Sequence, residues 1–334
     1  MGEKSRMNTV VFFQDLTQFH EALHYFDLDS FSGKNVPVKL HMGESKNKYF
    51  PRPAFVKHII DELKTIPAFP YLFDTTVCYS GLRNSKKGYL KLSQTHGFTK
   101  EKIGCEVIID DQGISTSVQG REYEIAQHLD AATHIFAISH VKGHIATGMG
   151  GAIKNFGMGG VTKETKLSMH QGSRPIWIKD DCTYCGKCAQ VCPFNALAVT
   201  QNSWEQVMKK CFGCGVCVDN CVSNAMEYTD ADLQFVLACA AKACVQNKTV
   251  LYLNELKRIA KSCDCDPDAG PIICPDVGYL LSDDPVAIDK ASLDLIEQIK
   301  PQVFEIENHI NPYKQITFGE KIGLGFSTYN LIEI

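Results

Sequence analysis

The sequence predicts an α/β protein: a mostly parallel sheet with flanking helices, interrupted by a cysteine-rich insert. Three observations carry this. Apolar strand-like runs alternate with helix-like segments up to about Gly172. The alternation breaks near Ser173, and cysteine spacing then dominates to Cys221. After Met226 the helix and strand signals return. Such alternation implies a parallel sheet covered by helices. The predicted units are residues 1–172, 173–228 and 229–334, the middle one inserted into a single larger α/β domain.

In chain order, Asn8–Phe13 (NTVVFF) reads as a buried strand and Leu16–Phe26 as a helix. Pro37–Met42 (PVKLHM) is a second strand. Pro53–Thr65 is a helix, with Phe55, Ile59, Ile60 and Leu63 at helical spacing. Tyr71–Cys78 is a third strand and Ser85–His96 a helix. Glu106–Asp110 and His134–Ser139 are strands that end beside polar residues. Beyond the insert the sequence predicts a helix over Asp230–Gln246, a strand over Thr249–Leu253 and a cysteine loop over Ser262–Pro275. A helix runs from about Asp284 to Ile299, where Asp283, Asp284 and Pro285 form a helix start. The chain beyond His309 carries no clear signal. In such sheets sites form outside the carboxyl ends of strands, and His41, Asp110 and His140 all sit at predicted strand ends.

Composition narrows the function classes. A formal charge of -4 argues against a general nucleic-acid binder, which carries a basic excess. No apolar run approaches the ~20 residues of a membrane span. The opening, MGEKSRMNTVVFF, is charged and lacks the apolar core and cleavage site of a signal peptide. Its MGxxxR start also lacks the Ser or Thr of a myristoylation signal. The expected location is cytoplasmic. Fifteen cysteines exceed what packing needs, and most fall in tight C-x-x-C groups. Metal binding in a reducing compartment is therefore expected over disulfides.

Two units share the spacing C-x2-C-x2-C-x3-C: Cys182, Cys185, Cys188, Cys192, and Cys211, Cys214, Cys217, Cys221. This is the spacing of bacterial two-cluster ferredoxins, in which the fourth cysteine of each run ligates the other cluster. Cluster one should take Cys182, Cys185, Cys188 and Cys221; cluster two should take Cys211, Cys214, Cys217 and Cys192. The insert is thus expected to be a ferredoxin-like α+β domain with two 4Fe–4S clusters. Gly186, Gly213 and Gly215 allow close backbone approach. Structural zinc commonly uses two separated C-x2-C pairs, which two triplet-plus-one units do not match. Pro193 follows the first unit as the ferredoxin pattern has it, but Val222 follows the second.

The chain resembles the uncharacterised iron–sulfur centre proteins built on domain of unknown function 362. The matching segments are VKLHMGE (Val38–Glu44), SHVKGHIATGMGGAIKNFGMGG (Ser139–Gly160), CDCDPDAGPIICPDVGYLLSDDPVAID (Cys263–Asp289) and the cysteine insert. The resemblance implies an α/β domain carrying a two-cluster module and says little about chemistry. Cys274, Cys239 and Cys244 stand outside the family pattern.

The segment Gly143–Gly160 holds seven glycines and one lysine, Lys154, behind His140 and His144. Three readings compete. Glycine backbone could cradle an anion, with Lys154 as countercharge. His140 and His144, four apart and on one face if helical, could form a metal or substrate site. Or the glycines could let backbone pack tightly beneath the insert. A histidine before a Gly-Gly-x-Lys run also resembles the nickel-dependent lactate racemase family, one residue out of step. In the loop SCDCDPDAGPIICPD, Cys263, Cys265 and Cys274 could supply three thiolates to a further metal ion with an open position. Cys239 and Cys244, and likewise Cys78 and Cys105, read as buried packing residues, and Lys163 and Lys166 as solvated surface.

The expectation is an anaerobic-type iron–sulfur protein that passes electrons through two 4Fe–4S clusters. An oxidoreductase is favoured over a bare carrier, since most of the chain lies outside the insert. His140, His144 and Lys154 are the candidate catalytic residues. The expected partners are a redox donor or acceptor protein and a small-molecule substrate, with no nucleic acid and no membrane. Two other classes stay open: a metal-handling or cofactor-maturation protein using the Cys263/Cys265 loop, and an electron-wire subunit of a larger complex.

Overall fold

The structure is a computed structural model that describes residues 8–334. The first seven residues, including Gly2, and the reading of the opening that rests on them lie outside the described residues. Eight strands form one sheet: β1 (Asn8–Phe13), β2 (Asn35–Leu40), β3 (Phe69–Asp74), β4 (Val107–Ile109), β5 (His134–His140), β6 (Thr249–Leu256), β7 (Gly278–Ser282) and β8 (Tyr329–Glu333). Their order is β8-β1-β7-β6-β5-β2-β3-β4. Strand β7 runs antiparallel to β1 and β6; the other neighbours are parallel. The protein is therefore α/β with a mostly parallel central sheet and flanking helices.

Each face of the sheet has its own core. On one, Phe55, Val56, Ile59, Ile60 and Leu63 of the Pro53–Leu63 helix cover Val36, Val38, Leu40, Phe136 and Ile138. On the other, helices Ala152–Gly157, Leu233–Val245 and Pro285–Ile299 cover Ala137, Tyr252 and Leu280. The chain leaves β2 towards β3 and β4, and leaves β5 in the opposite direction towards β6. The β2–β5 junction is thus a topological switch point. Loops part there and leave a crevice at the carboxyl ends of the strands.

Residues of the insert form a compact lobe. Pro175–Trp177 pairs antiparallel with Met226–Tyr228 and closes it at its base, and Leu197–Val199 pairs with Trp204–Gln206. The sequence repeat recurs in the backbone. Tyr184 and Gly213, Gly186 and Gly215, and Asn195 and Asn224 each hold equivalent places and each has positive φ. Gly186 and Gly215 start short helices at Lys187–Gln190 and Val216–Asp219.

Several predicted elements shift. The Leu16–Phe26 helix is a short 3-10 turn, Leu16–Gln18, followed by the five-residue helix Phe19–Leu23. Strand β2 stops at Leu40 and β3 at Asp74, so His41 and Thr75–Cys78 leave the sheet at its carboxyl edge. The glycine segment opens with an antiparallel hairpin, Lys142–His144 against Gly148–Gly150. His140 ends β5 and His144 lies in that hairpin, so the two do not share a helix face. Strand β7, the hairpin of Gly113–Val118 and Arg121–Ala126, and the tail helix Tyr313–Lys321 with β8 carried no sequence signal strong enough to read. Among the described residues no helix is long and apolar enough to cross a membrane.

Candidate functional site

A cavity opens at the switch point, with about 870 Å³ of empty space counted to its mouth. Lys39 and His41 reach it from the end of β2, Asp74, Thr75 and Cys78 from β3, and Ser139 and His140 from β5. The glycine segment supplies Lys142, His144, Gly150, Gly151 and Lys154, and the Lys163–Gly172 helix supplies Lys166 and His170.

The lining is strongly basic. Lys39, Arg83, Lys142, Lys154 and Lys166 all face the cavity, against Asp74 in the wall and Asp264 and Glu44 behind it. Most of these cations are held by protein. Lys39 pairs with Asp74 at 2.9 Å and donates to Asn155 Oδ1 at 2.8 Å. Lys142 pairs with Asp264 at 3.1 Å. Lys166 donates to Thr75 Oγ1 at 2.6 Å and to the Thr76 and Val161 carbonyls. It is buried, not the solvated surface residue expected, because the Thr162-capped helix turns that face toward β3. Arg83 stacks on the Tyr89 ring at 4.6 Å and lies 3.7 Å from Asp74.

Lys154 differs. Among the described residues its amine has no hydrogen-bond partner. Burial, reinforced by the charge of Lys142, pulls its pKa down to about 7. His41 is also unmet. Its Nδ1 accepts from the Gly43 N–H at 3.0 Å, and its Nε2 is buried without a partner. Since Nδ1 accepts, Nε2 carries the ring proton and points a donor into the site. Burial, then the Arg83 charge, holds His41 well below the usual histidine range.

The remaining candidates divide. Both nitrogens of His140 are committed: Nδ1 meets Asp264 Oδ1 at 2.8 Å and Nε2 meets the Lys257 carbonyl at 2.8 Å. His140 is therefore an anchor for the Asp264 loop. His144 Nδ1 takes the Ala146 N–H at 3.2 Å and lies 2.9 Å from Thr147 Oγ1. Burial, then Lys154, holds it well below the ordinary histidine value. Asp110 binds Lys86 and Gln127 away from the cavity.

The glycines are explained by contact. A Cβ at Gly157 would lie 2.3 Å from the Leu237 carbonyl, at Gly143 2.1 Å from the Lys261 carbonyl, and at Gly160 2.6 Å from Cys244 Sγ. Gly151 faces Asp289, whose carboxylate accepts from the Ala152 and Ile153 N–H groups at 2.7 and 2.9 Å. That carboxylate fills the place an anion cradle would need. Gly143, Gly157 and Gly160 thus pack against the α/β body and not beneath the insert, and the Ala152 and Ile153 N–H groups are taken by Asp289 and are not free to cradle an anion.

Cys263 and Cys265 are disulfide-bonded to each other, and the other described cysteines are free. His144, Cys263 and Cys265 bring one ligand-type atom each within 4.8 Å of one another. Cys274 does not join them; it is buried in the apolar core, as are Cys239 and Cys244. Cys78, read as packing, lines the cavity.

Two small cavities lie in the insert. One, of about 310 Å³, is lined by Cys182, Cys185, Cys188 and Cys221, and the other, of about 320 Å³, by Cys192, Cys211, Cys214 and Cys217. The Tyr184 N–H points to Cys182 Sγ at 3.4 Å and the Ala196 N–H to Cys192 Sγ at 3.3 Å. Burial raises the Cys188 and Cys217 thiols and pushes Cys214 up to about 12. Phe212, next to Cys211, lines both the second thiol cavity and the basic cavity. It packs on His170 with ring centroids 4.2 Å apart. A Cβ at Gly213 would lie 1.7 Å from the His170 carbonyl, so only glycine lets the insert dock this closely.

Two solved structures are similar in part. The lactate racemase apoprotein from Thermoanaerobacterium thermosaccharolyticum shares 13% identity at a TM-score of 0.42, over 76% of this chain and 52% of that one. A protein from Thermotoga maritima shares 10% identity at a TM-score of 0.45, over 89% of this chain and 59% of that one. The chain thus spans little more than half the length of either. No curated protein matches the sequence. Residues 36–294, more than half of the chain and including every cavity-lining residue named above, match domain of unknown function 362, DUF362. The chain belongs to the DUF362 family.

Proposed function

We propose that the protein is an iron–sulfur oxidoreductase whose α/β domain binds an anionic substrate, or an anionic group of a partner, beside the second thiol cavity. The observation that carries this is Phe212, a single side chain that walls both spaces. The donor sets fit 4Fe–4S clusters: four thiols around each cavity and backbone N–H groups aimed at two sulfurs. Cys182, Cys185, Cys188 and Cys221 would hold one cluster, and Cys192, Cys211, Cys214 and Cys217 the other. When bound, such clusters supply one-electron transfer.

The chain's own residues do the rest. Phe212 and His170 keep water out of the wall between the two spaces. Lys154 and the His41 Nε2–H, which have no protein partners among the described residues, meet the anionic group. Lys39, Arg83 and Lys142, fixed by Asp74 and Asp264, set a positive potential that favours it. The His140–Asp264 contact holds the cavity rim.

Anaerobically isolated protein should carry about eight irons and eight acid-labile sulfides per chain, four of each per cluster. Cys185→Ser with Cys214→Ser should lose most of both and the dithionite-bleached absorbance. Unchanged iron in that double variant would sink the proposal. Wild-type protein with little iron but two tightly held zinc ions would do the same.

A further inference from the structure

We infer that His144, Cys263 and Cys265 form a redox-gated site for one zinc-class divalent cation, opening on the basic cavity. The inference is independent of the eight cysteines assigned to the clusters. It starts from position. The sulfurs of Cys263 and Cys265 and a ring nitrogen of His144 lie within 4.8 Å of one another. Cys265 and His144 also line the cavity. Two thiolates and one imidazole form a set that binds zinc with a fourth position left open. That position faces the cavity, where water or the carboxylate of a bound anion completes the coordination.

The surrounding contacts prepare the ligands. Thr147 Oγ1 donates to the Met149 carbonyl and lies 2.9 Å from His144 Nδ1, so it can accept an Nδ1–H; that tautomer gives up the Ala146 contact and frees Nε2, which has no protein partner among the described residues. Nε2 is the atom left for a cation. The residue between the two cysteines, Asp264, is gripped by His140 at 2.8 Å and Lys142 at 3.1 Å. The Glu44 N–H binds the Asp264 carbonyl at 2.9 Å, and Asn47 Nδ2 binds the Asp266 carbonyl at 2.7 Å. The loop is thus pinned on both sides of the sulfurs. This explains a C-x-C pair that is too tight for the usual zinc knuckle.

The gate is the Cys263–Cys265 disulfide. Two electrons and two protons from a dithiol reductant convert it to two thiols, and the reductant closes to its own disulfide. The cation then displaces both thiol protons, and two thiolates with neutral His144 hold it. A disulfide oxidant reverses the sequence by thiol–disulfide exchange: it takes the two electrons and two protons to become a dithiol, the Cys263–Cys265 bond re-forms, and the ion is released.

The test is a Co²⁺ titration of the full-length protein, clusters in place, after treatment with dithiothreitol and its removal under anaerobic conditions. Wild type should bind one equivalent more than the untreated disulfide form, with a thiolate-to-cobalt charge-transfer band. Zn²⁺ should displace it. Cys263→Ser with Cys265→Ser should lose that equivalent, and His144→Gln should weaken it tenfold or more. The inference is overturned if reduced and oxidised wild type bind equally, or if the double-serine variant binds as much as wild type. Empty cluster cysteines would bind Co²⁺ in both wild type and that variant. Failure of the cluster assignment therefore reads out separately from failure of this site.

Discussion

At the scale of single residues, the site is a set of charges placed where water is scarce. Lys154 shows the consequence. Burial and the neighbouring Lys142 bring it to about 7, whereas an unfolded lysine titrates near 10.4. Between those values the folded chain binds fewer protons than the unfolded chain, so stability rises with pH across that window. The cost of burying this ammonium is fully present below about pH 7 and is relieved as pH climbs. Lys154→Met should flatten the rise by up to ~1.4 kcal/mol per pH unit, read as urea midpoints at pH 7 and pH 9. Identical slopes in both proteins would mean that Lys154 is hydrated and unperturbed. Lysine in the sequence announces only a cation; which lysine is left without a partner depends on Asp74, Asn155, Thr75 and Asp264, brought from far along the chain.

At the scale of elements, the short helix Ala152–Gly157 places Lys154 and Asn155, and close contact fixes it. Asn155 Nδ2 donates to the Ile138 carbonyl and Ser139 Oγ, both at 3.0 Å, which ties the helix to the end of β5. Its other side meets the Leu233–Val245 helix at Gly157. Alanine is the better helix former by ~1 kcal/mol. Yet a Cβ at 2.3 Å from a backbone carbonyl forces that helix away, which costs ~1–3 kcal/mol. The clash wins, and Gly157→Ala should lower the denaturation midpoint; a more stable variant would show that the helices can separate freely. The capping contact argues the same way. Asp289→Ala leaves the Ala152 and Ile153 N–H groups without their acceptor and takes one of two acceptors from Asn254 Nδ2. It should cost ~1–3 kcal/mol in thermal or chemical unfolding, and a loss well under 1 kcal/mol would show that water reaches this helix start.

At the scale of the whole molecule, the proposed function depends on how the insert meets the α/β body. The contact at His170, Phe212 and Gly213 sets the thickness of the wall between thiol cavity and basic cavity. Gly213 has φ of +74° and no room for a side chain. Gly213→Ala should therefore push the insert outward and raise its susceptibility to limited proteolysis while the α/β body stays folded. Unaltered cleavage would mean that the lobe shifts without loosening. The electropositive cavity lies on the body side and the eight grouped cysteines on the insert side, so neither part by itself contains the proposed site.

The sequence by itself determined what repeats or what local chemistry dictates. Alternating apolar runs marked β1, β2, β3 and β5, because a buried parallel strand must be apolar over its length. Asp284 and Pro285 marked a helix start, since a side-chain cap and a proline at the first turn suit free N–H groups. The cysteine spacing marked a repeated unit, which recurs as matched positive-φ positions. Ser139–Gly160 was legible as special, but its meaning was not: it showed glycines without showing Leu237, Lys261, Cys244 or Asp289, which make them necessary. Arg83, Lys39 and Lys166 gave no local signal at all, because a buried charge is recognised only by the partner that offsets its desolvation. His144 joined Cys263 and Cys265 in place of Cys274 for the same kind of reason. The His144 pairing with Cys263 and Cys265 crosses more than a hundred residues of chain, and only the packing of the β2–β5 crevice against the Asp264 loop brings them together.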